Sequence, residues 1–145
     1  MINNEMLVSC RAIARLYEQT LSSARAKHNL TQFEADVLAF LNNNPGMDTA
    51  SHIVEYRMLP KANVSQAVDL LIKKGLLTSR RDEADRRRVR LSPTAAAGPV
   101  ISDIIAAQKT FGEMLFADFT EAELSQLEAF NRRISENASR ILGKK

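Results

Sequence analysis

Apolar residues recur at steps of three and four in two long outer stretches of the chain, which is the spacing of one face of an α-helix. The first stretch, residues 4–27, predicts an amphipathic helix of roughly 23 residues. The second predicts a last helix that starts at a capping box formed by Thr120 and Glu123. The apolar stripes are Leu7, Cys10, Ala14, Tyr17, Leu21 and Ala24 in the first helix, and Leu124, Leu127, Phe130, Ile134, Ala138 and Ile141 in the last.

A second capping box predicts where the next helix begins. Thr31 is expected to cap it and Glu34 to bond back to the cap. The segment from Asn42 to Gly46 ends this helix, because its proline disfavours helical geometry before it and its glycine permits a turn.

Two shorter helices joined by a tight turn are predicted in the middle of the chain. One runs from about Thr49 or Ala50 to Arg57, and the other from Pro60 to Lys74, with Gly75 as a left-handed stop. The apolar face of the second helix is Val64, Ala67, Val68 and Leu71. This arrangement is typical of a helix-turn-helix.

A hairpin is predicted directly after these helices. Its strands are Leu76 to Arg81 and Arg86 to Leu91, around a charged tip formed by residues 82–85. Val89 and Leu91 are expected on one face of the second strand, with Arg88 and Arg90 on the other.

A further long helix is predicted from a Thr94 cap to about Phe116. Gly98 and Pro99 weaken its first turns, and Pro99 removes one backbone hydrogen bond. We therefore expect a bend or a ragged start there.

The charge of the chain is concentrated in one segment. The formal net charge of the 145 residues is +3, which is too small to indicate a partner. Between Lys61 and Arg90, however, nine basic residues stand against four acidic ones, whereas the rest of the chain carries eleven basic and thirteen acidic residues. A strongly basic segment on a near-neutral body is the usual electrostatic footprint for phosphate.

Candidate chemistry other than binding has little support in the sequence. The single cysteine, Cys10, excludes an intramolecular disulfide, so a reducing, cytoplasmic setting is expected. It lies on the predicted apolar stripe, where a buried thiol is ordinarily inert. His28 and His52 are expected as surface helix residues, so neither a metal nor another cofactor is predicted. We find no catalytic motif and no apolar run long enough to span a membrane. The aromatic residues expected in the core are Tyr17, Phe33, Phe40, Tyr56, Phe111, Phe116 and Phe119.

Motifs from Leu59 through Ala97 resemble the MarR (multiple-antibiotic-resistance regulator) family of bacterial transcription factors. The resemblance is carried by the run Leu59-Pro60-Lys61-Ala62-Asn63-Val64-Ser65-Gln66-Ala67-Val68-Asp69, by Lys73-Lys74-Gly75-Leu76, by Asp85-Arg86-Arg87 and by Thr94. Pro60 stands where the family usually has a serine cap, and Gln66 where it often has arginine. The resemblance implies a mainly α (α+β) fold, in which a winged helix-turn-helix is flanked by long helices that form a dimerisation domain.

Polar residues on the predicted second helix of the helix-turn-helix suit the major groove of DNA, where each base pair presents a distinct pattern of donors and acceptors. They are Lys61, Asn63, Ser65 and Gln66. The alternative is a solvated polar face.

The candidate DNA-binding residues of the wing are Arg80, Arg81, Arg86, Arg87 and Arg88. The alternative role of the wing arginines is to protect a sheet edge from aggregation. The resemblance implies that Arg87 enters the minor groove and that Asp85 braces it.

The expected organisation has three parts: residues 1–30 and 93–145 form the dimerisation helices, and residues 31–92 form the DNA-binding domain, with the recognition helix at about 60–74 and the wing at about 76–91. The predicted function is that of a transcriptional regulator, most simply a repressor, that binds a pseudo-palindromic operator in double-stranded DNA as a homodimer. The resemblance implies release by a small effector, often phenolic or anionic. The alternatives are a non-specific architectural DNA-binding protein and a redox sensor acting through Cys10; an enzyme is not predicted.

Overall fold

A computed structural model describes residues 4–143, and over this range the chain forms six α-helices, one short 3-10 helix and a two-stranded sheet. The elements are α1 (Asn4–His28), α2 (Gln32–Asn43), α3 (Ala50–Arg57), α4 (Lys61–Lys73), β1 (Leu77–Arg81), β2 (Val89–Pro93), a 3-10 turn (Ala95–Ala97), α5 (Gly98–Leu115) and α6 (Glu121–Ile141). The predicted mainly helical, winged helix-turn-helix fold is confirmed. The outermost residues of the two predicted dimerisation segments, 1–3 and 144–145, lie outside the described residues.

Contacts divide the chain into two units, residues 1–111 and 112–145. The core of the first unit is built around α2, in which every residue from Glu34 to Leu41 is buried. A helix buried on all sides needs neighbours on every face. The apolar residues that pack with it come from α1, α3, α4, the sheet and α5, and include Leu21, Ile53, Val64, Leu71, Leu77, Leu91 and Ile104.

The second unit contains α6, which starts at the predicted capping box. The Thr120 hydroxyl accepts the Glu123 N–H at 3.1 Å, and the Glu123 carboxylate accepts the Thr120 N–H at the same distance. No described residue of α6 is buried. Its predicted apolar stripe is therefore largely exposed, with Leu127, Phe130 and Ile134 among the exposed residues.

The glycine stop after α4 is as predicted from the sequence, but the helix starts one residue later than predicted. Pro60 is the residue before the helix rather than its first residue, and it makes no side-chain cap. Gly75 has the expected left-handed conformation, with φ of 74°. After it, the Leu76 N–H donates to the Leu71 carbonyl at 3.0 Å, which closes the helix in the manner of a Schellman motif.

The second strand of the wing begins three residues later than predicted. Arg86, Arg87 and Arg88 lie in the loop, because the Arg88 N–H donates to the Asp85 carbonyl at 2.9 Å and closes a turn. The strands pair antiparallel, with Leu77 opposite Pro93 and Arg81 opposite Val89. Of the apolar pair expected on one face of β2, Leu91 is buried but Val89, beside the open loop, is exposed.

The ragged start predicted for the long helix after the wing is confirmed by the 3-10 turn that precedes α5. The predicted side-chain cap at Thr94 is wrong. Its hydroxyl instead donates to the Gly75 carbonyl at 2.6 Å, and its N–H donates to the Leu76 carbonyl. Thr94 thus joins the end of the wing to the end of α4.

Several residues expected to be buried are exposed. Cys10 is exposed, because no residue in the first three described turns of α1 is buried and the helix buries only Leu21 completely. Tyr56 is exposed because the short helix α3 buries only Ile53. In the second unit, Phe116 and Phe119 are also exposed and meet edge to face.

The two histidines, expected on the surface, are half-buried and make structural contacts. The His52 ring nitrogen Nδ1 accepts the Thr49 N–H at 3.3 Å, and the Thr49 hydroxyl accepts the His52 N–H. This is a capping box for α3 in which histidine takes the place of glutamate. His28 Nε2 lies 2.7 Å from an oxygen of Asp103 on α5.

Candidate nucleic-acid interface

The outer face of α4 carries the four polar residues predicted to read bases. The buried side of the helix is Val64, Ala67, Val68 and Leu71, as expected. On the other side, Lys61, Ser65 and Gln66 are exposed, and Asn63 is half-buried. These side chains offer an ammonium, a hydroxyl and two amides on the first two turns of the helix, which are the donors and acceptors that base edges match.

The wing presents its arginines at a turn. Arg86 and Arg87 are the two central residues of the turn from Asp85 to Arg88. The Asp85 carboxylate accepts the backbone N–H of Arg87 at 3.1 Å and its side-chain Nε–H at 3.2 Å. An aspartate that bonds the backbone two residues on is a common turn stabiliser. The Arg87 side chain is nevertheless 92% exposed.

These contacts hold the Asp85 carboxylate in its charged form. The Arg87 side chain first, and its backbone N–H second, lower the pKa of Asp85. Because only one edge of the guanidinium faces Asp85, the terminal nitrogens of Arg87 remain directed to solvent. The geometry of the loop is thus compatible with the predicted brace.

Other wing arginines are exposed on the strands and the loop. Arg80, Arg81, Arg86 and Arg88 all belong to this set. Arg81 is partly fixed, because its Nη1 donates to the Arg86 carbonyl across the loop at 2.8 Å. A groove of about 410 Å³ lies between the loop and the start of α3, lined by Ser51 and Glu55 on one side and by Arg87 and Arg88 on the other.

Two basic residues of the charged segment turn away from this surface, which charge counting did not show. Lys74 Nζ lies 2.7 Å from the Glu34 carboxylate and 2.6 Å from the Asn29 carbonyl. Glu34 is buried, with 1% of its side chain exposed. Lys74 is therefore a structural residue that connects the end of α4 to the start of α2.

Arg90 is the second such residue, and its partner Asp48 was not identified from the sequence. Arg90 Nη1 donates to Asp48 at 2.6 Å, and Nη2 lies 3.6 Å from Asp82. The bond to Asp48 is the main reason that the pKa of Arg90 is raised. Asp48 also accepts the Leu91 N–H through its backbone carbonyl at 2.7 Å. The loop before α3 thus holds β2 at two points.

We expect Arg90→Ala to loosen the wing without unfolding the chain. The variant loses both carboxylate contacts, but Leu91 keeps its backbone bond and its place in the core. Amide hydrogen exchange should become faster in β1 and β2 and stay unchanged in α2. Arg80→Ala, across the sheet and without such contacts, is the matched control. Unchanged exchange in the wing of Arg90→Ala would show that Asp48 does not hold it.

A cavity of about 580 Å³ lies among α1, α2, α5 and the end of α3, on another part of the first unit. Its walls include Asp36 and Gln32 from α2, Arg57 from α3 and Tyr17 from α1. Asp36 is buried, and burial is the main cause that raises its pKa. Burial likewise raises the pKa of Tyr17, whose hydroxyl accepts from the Gln108 amide at 2.9 Å. The sequence did not predict this cavity. Its polar residues lie on several different helices, and the apolar periodicity of a helix predicts which face packs but not where a cavity forms between helices.

Across residues 4–143, no three histidine, cysteine, aspartate or glutamate side chains are grouped so that they could hold a metal ion. None of the helices described in this range is long and apolar enough to cross a bilayer.

Comparison with known proteins agrees with the fold. A family model described as MarR family matches residues 28–88, and no curated protein sequence matches the chain. A crystal structure of MarR is 25% identical, covers 98% of this chain and 95% of its own, and has a TM-score of 0.73. A MarR-family regulator from Listeria monocytogenes, in complex with a 26mer DNA, is 21% identical over 100% of this chain and 97% of its own, with a TM-score of 0.79.

A third similar structure is that of Bordetella bronchiseptica BpsR, whose DNA binding is regulated by 6-hydroxynicotinic acid. It is 18% identical over 93% of both chains, with a TM-score of 0.73. A MarR-family model thus matches the helix-turn-helix and the first strand and loop of the wing, and solved structures of MarR-family regulators share the fold along nearly the whole chain.

Proposed function

We propose that this protein is a sequence-specific transcriptional regulator that binds a pseudo-palindromic operator in double-stranded DNA as a homodimer. The observation that carries the proposal is the pairing of an exposed polar face on α4 with an exposed arginine turn in the adjoining wing. The Listeria relative in complex with a 26mer DNA supports this assignment.

Each half of the interface has its own role in the proposal. The exposed face of α4 enters the major groove, where Asn63 and Gln66 suit adenine and Lys61 suits guanine or phosphate. The wing approaches the neighbouring minor groove with Arg87, since a narrow minor groove has a strongly negative potential. The remaining exposed wing arginines contact phosphate, which positions the protein without reading sequence.

The homodimer is supported by apolar surface on the outer helices. In the first unit, Leu7, Val8 and Ile13 of α1 are exposed, and in the second unit so are Phe130 and Ile134 of α6. Exposed apolar faces of this extent mark interaction surfaces. A two-fold dimer would set two α4 helices about one DNA turn apart and match a palindromic site.

Repression by blocking polymerase is the simplest consequence of such binding near a promoter. We further propose that a small effector in the cavity beside Asp36 releases the DNA. The cavity volume suits a small molecule, and the regulation of BpsR by 6-hydroxynicotinic acid gives a precedent among similar folds. A catalytic role forms no part of the proposal.

The test is a selection of genomic fragments bound by the purified protein, followed by affinity measurements at several salt concentrations. We expect a recurrent inverted repeat, bound about a thousandfold or more tightly than a shuffled duplex at the same salt concentration. The affinity should fall steeply with salt as counterions are released. Comparable affinity for the shuffled duplex would instead identify an architectural DNA-binding protein.

A further inference from the structure

The cavity beside Asp36 has the chemistry of a site for a cationic ligand. We propose that it binds a small molecule with an aromatic body and a protonated amine, and that the Asp36 carboxylate accepts the hydrogen bond of the amine. This inference deepens the effector step of the proposed function and rests on it for its consequence at DNA. It also departs from the anionic effectors that the family resemblance implies.

The charged groups around the cavity favour a cation. Two carboxylates, Asp36 and Glu18, line it against one guanidinium, that of Arg57. Arg57 is a weak partner for Asp36, because the nitrogen and oxygen lie 3.3 Å apart and 41% of the arginine side chain is exposed. An incoming anion would meet the buried carboxylate, whereas an ammonium would complete its pairing.

Two oxygen atoms in the cavity wall can each accept a hydrogen bond from a ligand. The Gln32 amide donates to Asp36 Oδ1 at 2.9 Å, and Arg57 donates to the same oxygen, so Oδ2 is left for another donor. The carbonyl oxygen of the Gln32 side chain is buried and has no partner. A buried acceptor without a partner is costly. An ammonium has three donor hydrogens, enough to serve both oxygens.

The remaining walls suit an aromatic ring. Tyr17 and Phe111 pack edge to face, with ring centroids 5.2 Å apart and planes at 75°. Together with Ile13, Phe40 and Leu59 they form the apolar part of the lining. A pocket with apolar walls and a few convergent polar groups is the usual form of a small-molecule site.

The environment of Asp36 supports the same ligand class. Burial raises the pKa of this carboxyl, because the charged form has lost the solvation of water. A cation placed against the carboxylate compensates for that loss. Titratable groups perturbed by burial within a cleft are frequent at functional sites.

An amine at Asp36 would also reach the DNA-reading helix. Arg57 is the last residue of α3, and Met58 follows it in the left-handed conformation, with φ of 53°, before α4 begins at Lys61. Because an ammonium at Asp36 Oδ2 shares the negative charge of the carboxylate with Arg57 at Oδ1, the ion pair that links α2 to the α3–α4 turn is weakened. DNA affinity is therefore expected to fall when the site is filled.

The test uses three probes that differ at one end. Phenethylamine, 2-phenylethanol and phenylacetate share the phenyl ring and carry a cationic, a neutral and an anionic head. Calorimetry on the full chain should show that phenethylamine binds about tenfold or more tightly than either of the others, the size expected for a charge-assisted hydrogen bond. Equal or tighter binding of phenylacetate, or no binding of phenethylamine, would overturn the inference.

A variant then identifies the residue. Asp36→Asn keeps the shape of the side chain and removes its charge, and it should abolish the preference for phenethylamine. Glu128→Gln, a carboxylate exposed on α6, is the control and should bind all three probes as the unaltered chain does. An unchanged preference in folded Asp36→Asn would contradict the role of Asp36. If that variant does not fold, the order of the three probes on the unaltered chain still decides.

A parallel measurement of DNA affinity separates this inference from the proposed function. Probe selectivity without any change in DNA binding would uphold the cationic site and contradict the effector step. Intact, sequence-specific DNA binding by a chain that does not take phenethylamine would overturn the cationic site alone.

Discussion

Lys74→Met is expected to destabilise the fold by about 3 kcal/mol, the loss typical of leaving a buried carboxylate without its cation. The substitution leaves the buried Glu34 carboxylate without its cation and the Asn29 carbonyl without a donor. Methionine retains the length and apolar stem of lysine, so the loss reports the charge. Urea unfolding at a fixed protein concentration measures it, because oligomerisation makes stability depend on concentration.

Lys73→Met is the matched control, since Lys73 is the exposed neighbour on the same helix end. It should change the free energy of unfolding by less than about 0.5 kcal/mol, as is usual for surface substitutions. Similar losses in the two variants would mean that the contact between Lys74 and Glu34 does not stabilise the fold.

Arg87→Ala should have the opposite profile, with a large effect on DNA binding and almost none on stability. The side chain is nearly fully exposed, and its ion-pair partner among residues 4–143 is Asp85 on its own turn. We expect a loss of about 2 kcal/mol in binding, or roughly thirtyfold in affinity, for each half-site. The slope of log affinity against log salt should decrease by about 1 for each half-site. Binding titrations over a salt series, with thermal melts as a check on folding, measure both quantities.

Arg133→Ala provides the control for Arg87→Ala, because it removes the same charge from the exposed surface of α6. It should leave both the affinity and the salt slope nearly unchanged. Folded Lys74→Met should also retain the salt slope of the unaltered chain, although it carries one charge fewer in the basic segment. A reduced slope in Lys74→Met, or an unaltered slope in Arg87→Ala, would contradict the separation of structural from DNA-facing charges.

Local chemistry explains which parts of the fold could be predicted from sequence. The capping boxes at Thr31 and Thr120 and the glycine stop at Gly75 depend on residues within one or two turns of each other. The apolar stripe of α4 likewise identifies its buried face without reference to a partner. All the residues that produce each of these features lie within one segment of the chain, so the sequence of that segment is enough to predict it.

The features that could not be predicted depend on residues distant in sequence. Arg90 meets Asp48 across 42 positions, and Lys74 meets Glu34 across 40. Their charges were therefore counted with the DNA-facing set. The late start of β2 has a local cause, the turn that the Asp85 carbonyl closes with the Arg88 N–H. The sequence did not reveal it, because the polar–apolar alternation of Arg88, Val89 and Arg90 is also the pattern of a strand. Burial of Asp36 follows from the packing around α2 rather than from its place in the helix.

The two contacts of Asp48 with β2 set the distance between the wing and the helix-turn-helix. Because Asp48 holds β2 against the loop before α3, the proposed DNA contacts of the arginine turn and of α4 are expected to keep a nearly constant span. A duplex in which the distance between neighbouring grooves differs from this span must bend or twist to be bound at both points, and its stiffness then enters the free energy of binding. Among operators that offer the same base contacts, those whose central base-pair steps deform more easily are thus expected to bind with higher affinity.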